Sequence, residues 1–158
     1  MSDVTVHAAG RDDLDAVVES VAGLFREDAG THDPTVNVDW PALEGAANYG
    51  ALVGDKDCLL ALARDGDRVI GHLVGKLARP DSSRKQRIAV LESMRVHPEH
   101  RDAGVGTLLV QHFLAWARER EAVQASVSAY AANGAAQRFY ARHGFAPMTT
   151  TLRVSMED

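Results

Sequence analysis

The sequence lacks several features that mark large classes of protein. It has a single cysteine, Cys58, in 158 residues, so no disulfide can form within the chain. No apolar run is long enough to cross a bilayer, and the first residues have no basic head or apolar stretch of a secretory signal. The formal net charge is −5, whereas a general nucleic-acid binder usually carries a basic excess. These absences predict a cytoplasmic protein that binds neither membranes nor nucleic acids.

The pattern of apolar residues, turns and helix signals predicts an α/β fold. The length of 158 residues suits one domain, so we expect residues 1–158 to form a single domain around one large core. The predicted order is β-α-α-β-β-β-α-β-α-β, a mixed sheet with helices on its faces. The predicted strands cover residues 4–8, 58–64, 68–78, 88–96, 123–130 and 145–157, and the predicted helices cover residues 13–26, 41–53, 104–120 and 135–143.

One loop, "HRDAGVGTLL", combines an arginine with two glycines where a strand ends and a helix begins. The first amides of a helix have no partner within it, and the helix dipole adds positive charge there. Glycines leave room for an anion to approach these amides, so the loop from Arg101 to Thr107 is either a plain turn or a pyrophosphate site. Leu109 stands where a dinucleotide fingerprint would have its third glycine, and the Gly-Lys-Ser/Thr of a nucleotide-triphosphate loop is missing.

The stretch "ESMRVHPEHRDAGVGTLLVQHFLAWA" resembles the acetyl-coenzyme A binding segment of the GNAT superfamily of N-acetyltransferases. That family has an Arg/Gln-x-x-Gly-x-Gly/Ala motif after a strand that ends in Val-x-Pro. A second stretch, "NGAAQRFYARHGFAP", resembles the family's Asn-x-x-Ala-x-x-x-Tyr-x-x-x-Gly-Phe signature. The chain departs from the pattern after the motif arginine, where relatives commonly carry glycine and a basic residue. The matched residues are Val96, Pro98, Arg101, Gly104 and Gly106, then Asn133, Ala136, Tyr140, Gly144 and Phe145, and the departures are Asp102 and Ala103.

The resemblance implies a reaction and a set of residues for it. It implies transfer of an acetyl group from acetyl-CoA, the co-substrate, to a primary amine of a small-molecule or peptide acceptor, by direct attack in a ternary complex and without a metal. Glu92 would be the general base, usually acting through water, and Tyr140 the general acid at the coenzyme sulfur. The implied coenzyme-binding residues are Met94, Arg95, Val96, Arg101, Asp102, Ala103, Gly104, Val105, Gly106, Thr107, Asn133, Phe139 and Tyr140.

Each of these assignments has a plain structural alternative. Glu92 could be a solvated surface glutamate, and Tyr140 could be a core aromatic packed against Phe139 and Phe145. In relatives the first two helices and their connection usually form one wall of the acceptor site. Here that region is acidic and would attract a cationic amine, although it also fits an ordinary acidic surface. Its residues are Glu27, Asp28, Asp33 and Asp39, with Trp40 and Tyr49 as aromatic candidates.

Other functions compete with this one. A non-catalytic GNAT-fold module that binds an acyl-CoA, as a sensor or an interaction module, would keep Arg101 and the two glycines without needing Tyr140. An unrelated nucleotide-binding domain is disfavoured by the missing glycine and lysine. The polar cluster His97, Glu99, His100 and Asp102 matches no strong zinc spacing, so we expect solvated loop residues there. The family often forms homodimers, but the acceptor and the oligomeric state stay open.

Overall fold

The computed structural model describes residues 3–158 and is built on a five-stranded sheet. The strands lie in the order β1-β2-β3-β4-β5. Strands β1 to β4 are antiparallel to one another in sequence, and β5 is parallel to β4. This mixed sheet confirms the α/β prediction and its first five strands. The strands are β1 (Val4–Ala8), β2 (Cys58–Asp65), β3 (Arg68–Ala78), β4 (Ile88–Val96) and β5 (Gln124–Val127).

Helices cover both faces of the sheet, and the first helical segment is longer than predicted. It does not end near Arg26 but continues through a π-helical turn, Phe25–Ala29, to His32. Gly30 permits this because a Cβ there would lie 2.8 Å from Val38 and 2.9 Å from the Phe25 carbonyl oxygen. The helices are α1 (Leu14–Leu24), α2 (Gly30–His32), α3 (Ala46–Gly50), α4 (Val105–Glu119) and α5 (Gly134–Arg142), with a second π-helical turn, Pro41–Gly45, before α3.

The two faces of the sheet carry separate apolar clusters. Alternate residues of β2 point to opposite faces, as the strand pleat requires. Leu59 packs towards α4, where Phe113 is fully buried, and Leu62 packs towards α1 and α3. Full burial of side chains of this size contributes about 1.5–3 kcal/mol each. The sheet is therefore held rigid on both sides of β4, the strand that carries the predicted catalytic glutamate.

Strand β4 has a partner strand on both edges for only half of its length. Ile88 to Leu91 pair with Gln124 to Val127 of β5, and beyond Leu91 the strand continues without β5 beside it. On its other edge the register with β3 shifts, because Val74 pairs with Ser93 and Gly75 with Leu91. Glu92 is thus the extra residue of a β-bulge, a feature that redirects side chains and often accompanies functional sites.

The predicted final strand, residues 145–157, is wrong: residues 145–158 form neither strand nor helix. A strand needs a neighbour for its backbone groups, and within the described chain β5 pairs with β4 alone. The strand predicted at 123–130 is also shorter than expected. It stops at Val127 because β4 diverges beyond Leu91.

Candidate active site

The gap between β4 and β5 exposes a row of backbone groups. The His97 N–H donates to the Ile70 carbonyl of β3 at 2.7 Å. Backbone direction alternates along a strand, so the N–H and C=O groups of Met94 and Val96 point away from β3, into the space that β5 leaves. The strand edge is therefore open to an extended ligand at Met94 and Val96, two of the residues implied for coenzyme binding.

The start of α4 borders the same gap and has free amides. The first helical hydrogen bond joins the Leu108 N–H to the Gly104 carbonyl at 3.1 Å, so the N–H groups of Val105, Gly106 and Thr107 have no partner inside the helix. No side chain caps this end of α4. Three free amides and the helix dipole together form a suitable binding site for an anion.

The two motif glycines are needed for different reasons. Gly104 has φ 86°, in the left-handed region, and a Cβ there would meet nothing within 4 Å. That open space is what a bound phosphate requires. A Cβ on Gly106 would lie 3.1 Å from the Phe139 ring, so Gly106 lets α5 pack closely on α4. Its backbone amide is left for the predicted pyrophosphate contact.

Asp102, the main departure from the family pattern, also has a left-handed backbone, with φ 62°. Aspartate tolerates this conformation better than most residues, and glycine adopts it freely, which explains why glycine is common at this position. The Asp102 side chain is exposed to solvent, and so is Ala103. The carboxylate therefore need not be buried against a bound anion.

Glu27, on the π-helical turn, joins the acidic segment to the glycine loop. Its carboxylate accepts hydrogen bonds from Arg95 at 2.7 Å and from Arg101 at 2.5 Å. Arg101 also donates through Nε to the Val96 carbonyl at 2.9 Å. Partial burial works against the charged form of Glu27, but the two arginines hold the pKa of this carboxyl below its usual range. The residue predicted for the acceptor wall thus orients the motif arginine.

Asn133 makes a similar connection from α5. Its side-chain oxygen accepts from the Ala136 N–H at 3.1 Å, which caps α5 as expected. Its amide nitrogen donates to Asp28 at 3.0 Å. Asp28 follows Glu27 on the π-helical turn, so two adjacent acids contact three residues of the predicted coenzyme site, Arg95, Arg101 and Asn133. The contact between Asn133 and Asp28 could not be predicted from the sequence, because 105 positions separate the two residues.

Tyr140 lies in an aromatic group with Phe139 and Phe145, at centroid distances of 5.2 and 5.7 Å. This packing is what a core tyrosine would show, and it also holds the phenol in one orientation. Burial, with a further contribution from the charge of Asp28, raises the pKa of Tyr140 to about 12. The phenol therefore stays protonated at neutral pH and is available to donate a hydrogen bond.

Glu92 projects from the bulge towards the α3 side of the sheet. Its carboxylate lies 3.4 Å from Lys76 Nζ, and its side chain is 40% exposed. Burial, and then the nearby charge of Glu92, raises the pKa of Tyr49 on α3. Glu92 is thus accessible and faces the same side as the aromatic residues predicted for the acceptor wall.

Burial raises the pKa of the Cys58 thiol, which argues against a cysteine nucleophile.

A buried polar chain behind the bulge was missed from the sequence. The His72 Nδ1 lies 2.5 Å from the Ser20 hydroxyl of α1, and its Nε2 lies 2.7 Å from the Ser93 hydroxyl. Burial, with a smaller effect from Arg95, lowers the pKa of His72 to about 3, so the ring is neutral. Because Ser93 follows Glu92, this chain fastens the bulge to α1. The one available signal was a histidine inside the apolar run of β3.

With this geometry in hand, a match to a known family is decisive. The profile of the acetyltransferase (GNAT) family matches residues 16–145, most of the chain. The chain belongs to the GNAT acetyltransferase family. A search of curated protein sequences found no significant match.

Several solved structures share the fold of this GNAT protein along nearly its whole length. A transcriptional regulator from Bacillus halodurans has 23% identity and a TM-score of 0.76, covering 98% of this chain and 100% of its own. A GCN5-related N-acetyltransferase from Ralstonia eutropha has 19% identity and a TM-score of 0.75, with coverage of 98% and 100%. An aminoglycoside 6'-N-acetyltransferase from Acinetobacter haemolyticus has 18% identity and a TM-score of 0.76, with coverage of 98% and 99%.

The other predicted acceptor residues of this GNAT chain are spread around α2 and α3. Trp40 stacks on Phe25 at 5.8 Å and meets Tyr49 edge-on at 6.1 Å, within the α1 and α3 cluster. Asp33 is buried and accepts from Thr35 at 2.6 Å and from Arg153 at 2.8 Å. Asp39 is exposed. The structure therefore brings Glu27 and Asp28 to the gap, whereas Trp40 serves the packing beside it.

Two further features of this GNAT chain lie outside the gap. A cavity of about 420 Å³ opens between α1 and the β2–β3 turn, with Arg95 and Ser20 in its lining. The donor atoms of His97, Glu99 and His100 lie within 4.8 Å of one another, but Glu99 is paired with Arg68 at 3.0 Å.

Among the helices of residues 3–158, none has the length and apolar character of a membrane span.

Proposed function

We propose that this chain transfers the acetyl group of acetyl-CoA to a primary amine by direct attack in a ternary complex, and that the whole chain works as one such domain. The observation that carries the proposal is the gap beyond Leu91. It combines outward-facing backbone groups of Met94 and Val96 with the uncapped start of α4, and we assign the phenol of Tyr140 on α5 as the third group of the site. A thioester on an extended arm with a terminal pyrophosphate fits these three features together.

The residues at the gap suit such a coenzyme. The free amides of Val105, Gly106 and Thr107 would hold the pyrophosphate at the open space over Gly104. Arg101 lies next to this space and would add charge, since its guanidinium is half-exposed while paired with Glu27. When bound, acetyl-CoA would supply an activated acyl group as a thioester.

Three groups of this chain would carry out the chemistry. Glu92 would remove a proton from the ammonium of the acceptor, through water, because a protonated amine has no lone pair. The Met94 N–H would donate to the thioester oxygen as negative charge develops there. Tyr140 would donate to the sulfur as the thiolate departs. The raised pKa of Tyr140, about 12, favours a strong hydrogen bond over complete proton transfer, because burial and Asp28 disfavour a phenolate.

We propose a small-molecule amine as the acceptor, such as an amino sugar or a polyamine, with a basic peptide as the alternative. Two of the fold neighbours are aminoglycoside acetyltransferases by name. The acidic turn supports a cationic acceptor through Asp28, whose carboxylate pairs with the neutral amide of Asn133, whereas the charge of Glu27 is balanced by Arg95 and Arg101. Both acids are already hydrogen-bonded, so an acceptor would meet a pre-oriented surface.

A non-catalytic acyl-CoA sensor is the second candidate. It is favoured by the contacts of Arg101 and Asn133 with Glu27 and Asp28, because a coenzyme that displaced them would move the π-helical turn. One fold neighbour is named as a transcriptional regulator. A sensor would bind acetyl-CoA without consuming it, whereas the catalytic roles proposed for Tyr140 and Glu92 are needed only for turnover.

Thermal unfolding with acetyl-CoA, followed by a panel of amines with detection of free thiol, tests the proposal. Ligand at 100 times its Kd should stabilise the protein by about 2.7 kcal/mol, which is roughly 5–10 °C in Tm for a chain of this size. Thiol release with an amine establishes the transferase. A shift in Tm without thiol release across amino sugars, polyamines and basic peptides supports the sensor, and no shift at saturation rejects both.

A further inference from the structure

Three side chains that can bind a metal ion come together on the turn that follows β4. His97 stands at the start of this turn, which is the 3-10 helix Pro98–His100. The donor atoms of His97, Glu99 and His100 lie within 4.8 Å of one another, and we call these three residues the turn cluster. Two imidazoles and one carboxylate form a donor set that Zn²⁺ accepts in proteins. Their spacing along the chain matches no strong zinc pattern, so only the folded turn reveals the set.

His100 has a buried ring nitrogen without a hydrogen-bond partner. Its Nδ1 is closed off from solvent, and among the side chains of residues 3–158 no other buried nitrogen or oxygen lacks a partner. Such an atom is costly in a folded protein, because it has given up its hydrogen bond to water. A cation bound at the Nδ1 lone pair would remove this cost. The unpaired nitrogen thus points to a ligand independently of the clustering.

The other ring nitrogen of His100 faces a carboxylate. Its Nε2 lies 3.9 Å from an oxygen of Asp65, the last residue of β2. When a histidine binds a metal, its second ring nitrogen usually donates its hydrogen to a carboxylate, a carbonyl or water, which fixes the tautomer. A proton on Nε2, next to Asp65, leaves the lone pair on Nδ1. Asp65 therefore favours the tautomer of His100 whose buried nitrogen can bind a cation.

The present partners of His97 and Glu99 are weak enough to be replaced. The His97 Nδ1 accepts a hydrogen bond from the Glu99 N–H at 3.4 Å, which is longer than ordinary N–H bonds. Glu99 is paired with Arg68 at 3.0 Å, but the two side chains are 68% and 55% exposed. Exposed ion pairs contribute little to stability. Arg68 therefore competes only weakly with a cation for the Glu99 carboxylate.

We propose that the turn cluster binds one divalent cation of the zinc type, with His97, Glu99 and His100 as its protein ligands and water at the fourth position. Zn²⁺ holds nitrogen and oxygen ligands at about 2.0–2.2 Å in a tetrahedron, which places neighbouring donor atoms about 3.4 Å apart. The cluster reaches this spacing by small side-chain rotations, since the His100 and Glu99 side chains are both accessible, at 21% and 68% exposed. Mg²⁺ and Ca²⁺ prefer oxygen donors and should not bind.

The ion would restrain two loops at the end of the sheet. The turn cluster comes directly before Arg101 in the chain, and His100 lies beside Asp65 at the β2–β3 turn. His97 also lines the cavity of about 420 Å³ next to α1, which gives an ion a path from solvent. None of the three ligands has a part in the proposed acetyl transfer. The metal site therefore stands whether or not the chain is a transferase.

Calorimetric titration of the untagged full chain with ZnCl₂, after treatment with a chelator, tests the site. One Zn²⁺ should bind per chain, and MgCl₂ should not bind. His97→Gln and His100→Gln should each weaken zinc binding at least tenfold, because loss of even an outer partner costs about 10–100-fold. His112→Gln on α4 is the matched control and should bind zinc as the unmodified protein does. Absence of saturable zinc binding, or equal affinity in His100→Gln and His112→Gln, overturns the proposal.

A change of opposite sign distinguishes this site from incidental binding to surface histidines. Arg68→Gln removes the competitor for Glu99, so zinc should bind several-fold more tightly. Arg84→Gln, in another exposed loop, has the same effect on net charge and should leave the affinity unchanged. Cys58→Ser should also leave it unchanged, because the thiol lies at the start of β2. Equal affinities in Arg68→Gln and Arg84→Gln, or loss of binding in Cys58→Ser, overturn the assignment.

Discussion

The two walls of the proposed cleft are built in different ways. The coenzyme wall, residues 94–107 with α5, depends on backbone: free amides at the start of α4, the left-handed Gly104 and outward-facing groups of β4. The acceptor wall, residues 25–33 with α3 and Glu92, depends on side-chain contacts between distant positions. Glu27 contacts Arg101, which is 74 positions away, and Asp28 contacts Asn133, which is 105 positions away.

This difference explains why one wall carries a readable motif and the other does not. A backbone site needs particular residues at particular local spacings, such as glycine where φ is positive. A wall made of side-chain contacts can be assembled from many residue combinations. We expect changes to the backbone of the coenzyme wall to affect ligand binding outright, and changes of single side chains in either wall to affect rate or stability by degrees.

The largest effect is expected for Gly104→Glu. A side chain and a negative charge would enter the space at the α4 amides, so acetyl-CoA should no longer raise the Tm and thiol release should fall below detection. The left-handed backbone, φ 86°, adds about 1–2 kcal/mol of destabilisation. Gly54→Glu is the control, since Gly54 has φ 77° with nothing within 4 Å of a Cβ. Equal loss of the ligand shift in both variants would contradict a phosphate site at Gly104.

The next largest effect is expected for Glu92→Gln. Glutamine keeps the shape but cannot accept a proton, so kcat/KM should fall by roughly 10²–10⁴, with less loss at high pH where the acceptor amine is already neutral. The pH profile of kcat/KM is the measurement. Glu119→Gln, an exposed change on α4, should be neutral. A Glu92→Gln rate within twofold of the original would assign Glu92 to the surface.

Tyr140→Phe should have a smaller effect that is confined to turnover. The ring and its packing against Phe139 and Phe145 are kept, so the Tm shift with acetyl-CoA should persist. Loss of one hydrogen bond to a charged sulfur costs about 1.5–3 kcal/mol, which is roughly a tenfold to hundredfold fall in kcat. Steady-state kinetics with the best amine measure it. An unchanged kcat would leave Tyr140 as a packing residue.

The smallest effect is expected from acid on His72. Its pKa is lowered to about 3 in the folded protein, against about 6.5 in an unfolded chain. Between these values the unfolded state binds a proton that the folded state does not, so stability falls as the pH falls. Because of this group, the free energy of unfolding should fall by about 1 kcal/mol for each pH unit between pH 6 and 4.5.

Urea unfolding across that pH range measures the effect. His72→Gln, which can still hydrogen-bond Ser20 and Ser93, should reduce the pH dependence, whereas His112→Gln on α4 should keep it. An identical pH dependence in His72→Gln and in the unmodified protein would show that His72 is not the group responsible.

Much of the fold could be predicted because its signals are local. The strands predicted at 58–64 and 68–78 are confirmed as β2 and β3, and Gly66 in the short turn between them has φ 59°. The predicted strand at residues 145–157 is wrong because its formation depends on a distant partner strand and not on local signals. Alternation shows that a segment can form a strand, but a strand forms only beside a free sheet edge, and within the described residues the segment 145–157 does not pair with β5.

The family resemblance, the glycine loop and the helix that follows it could be predicted from neighbouring residues, because backbone conformation is largely a local property. The resemblance also named Glu92 and Tyr140 as candidates. The position of Glu92 in a bulge fastened by His72, and the contact of Glu27 with the motif arginine, became apparent in the folded protein alone. These contacts join residues far apart in the chain, so their geometry exists only once the sheet has brought the elements together.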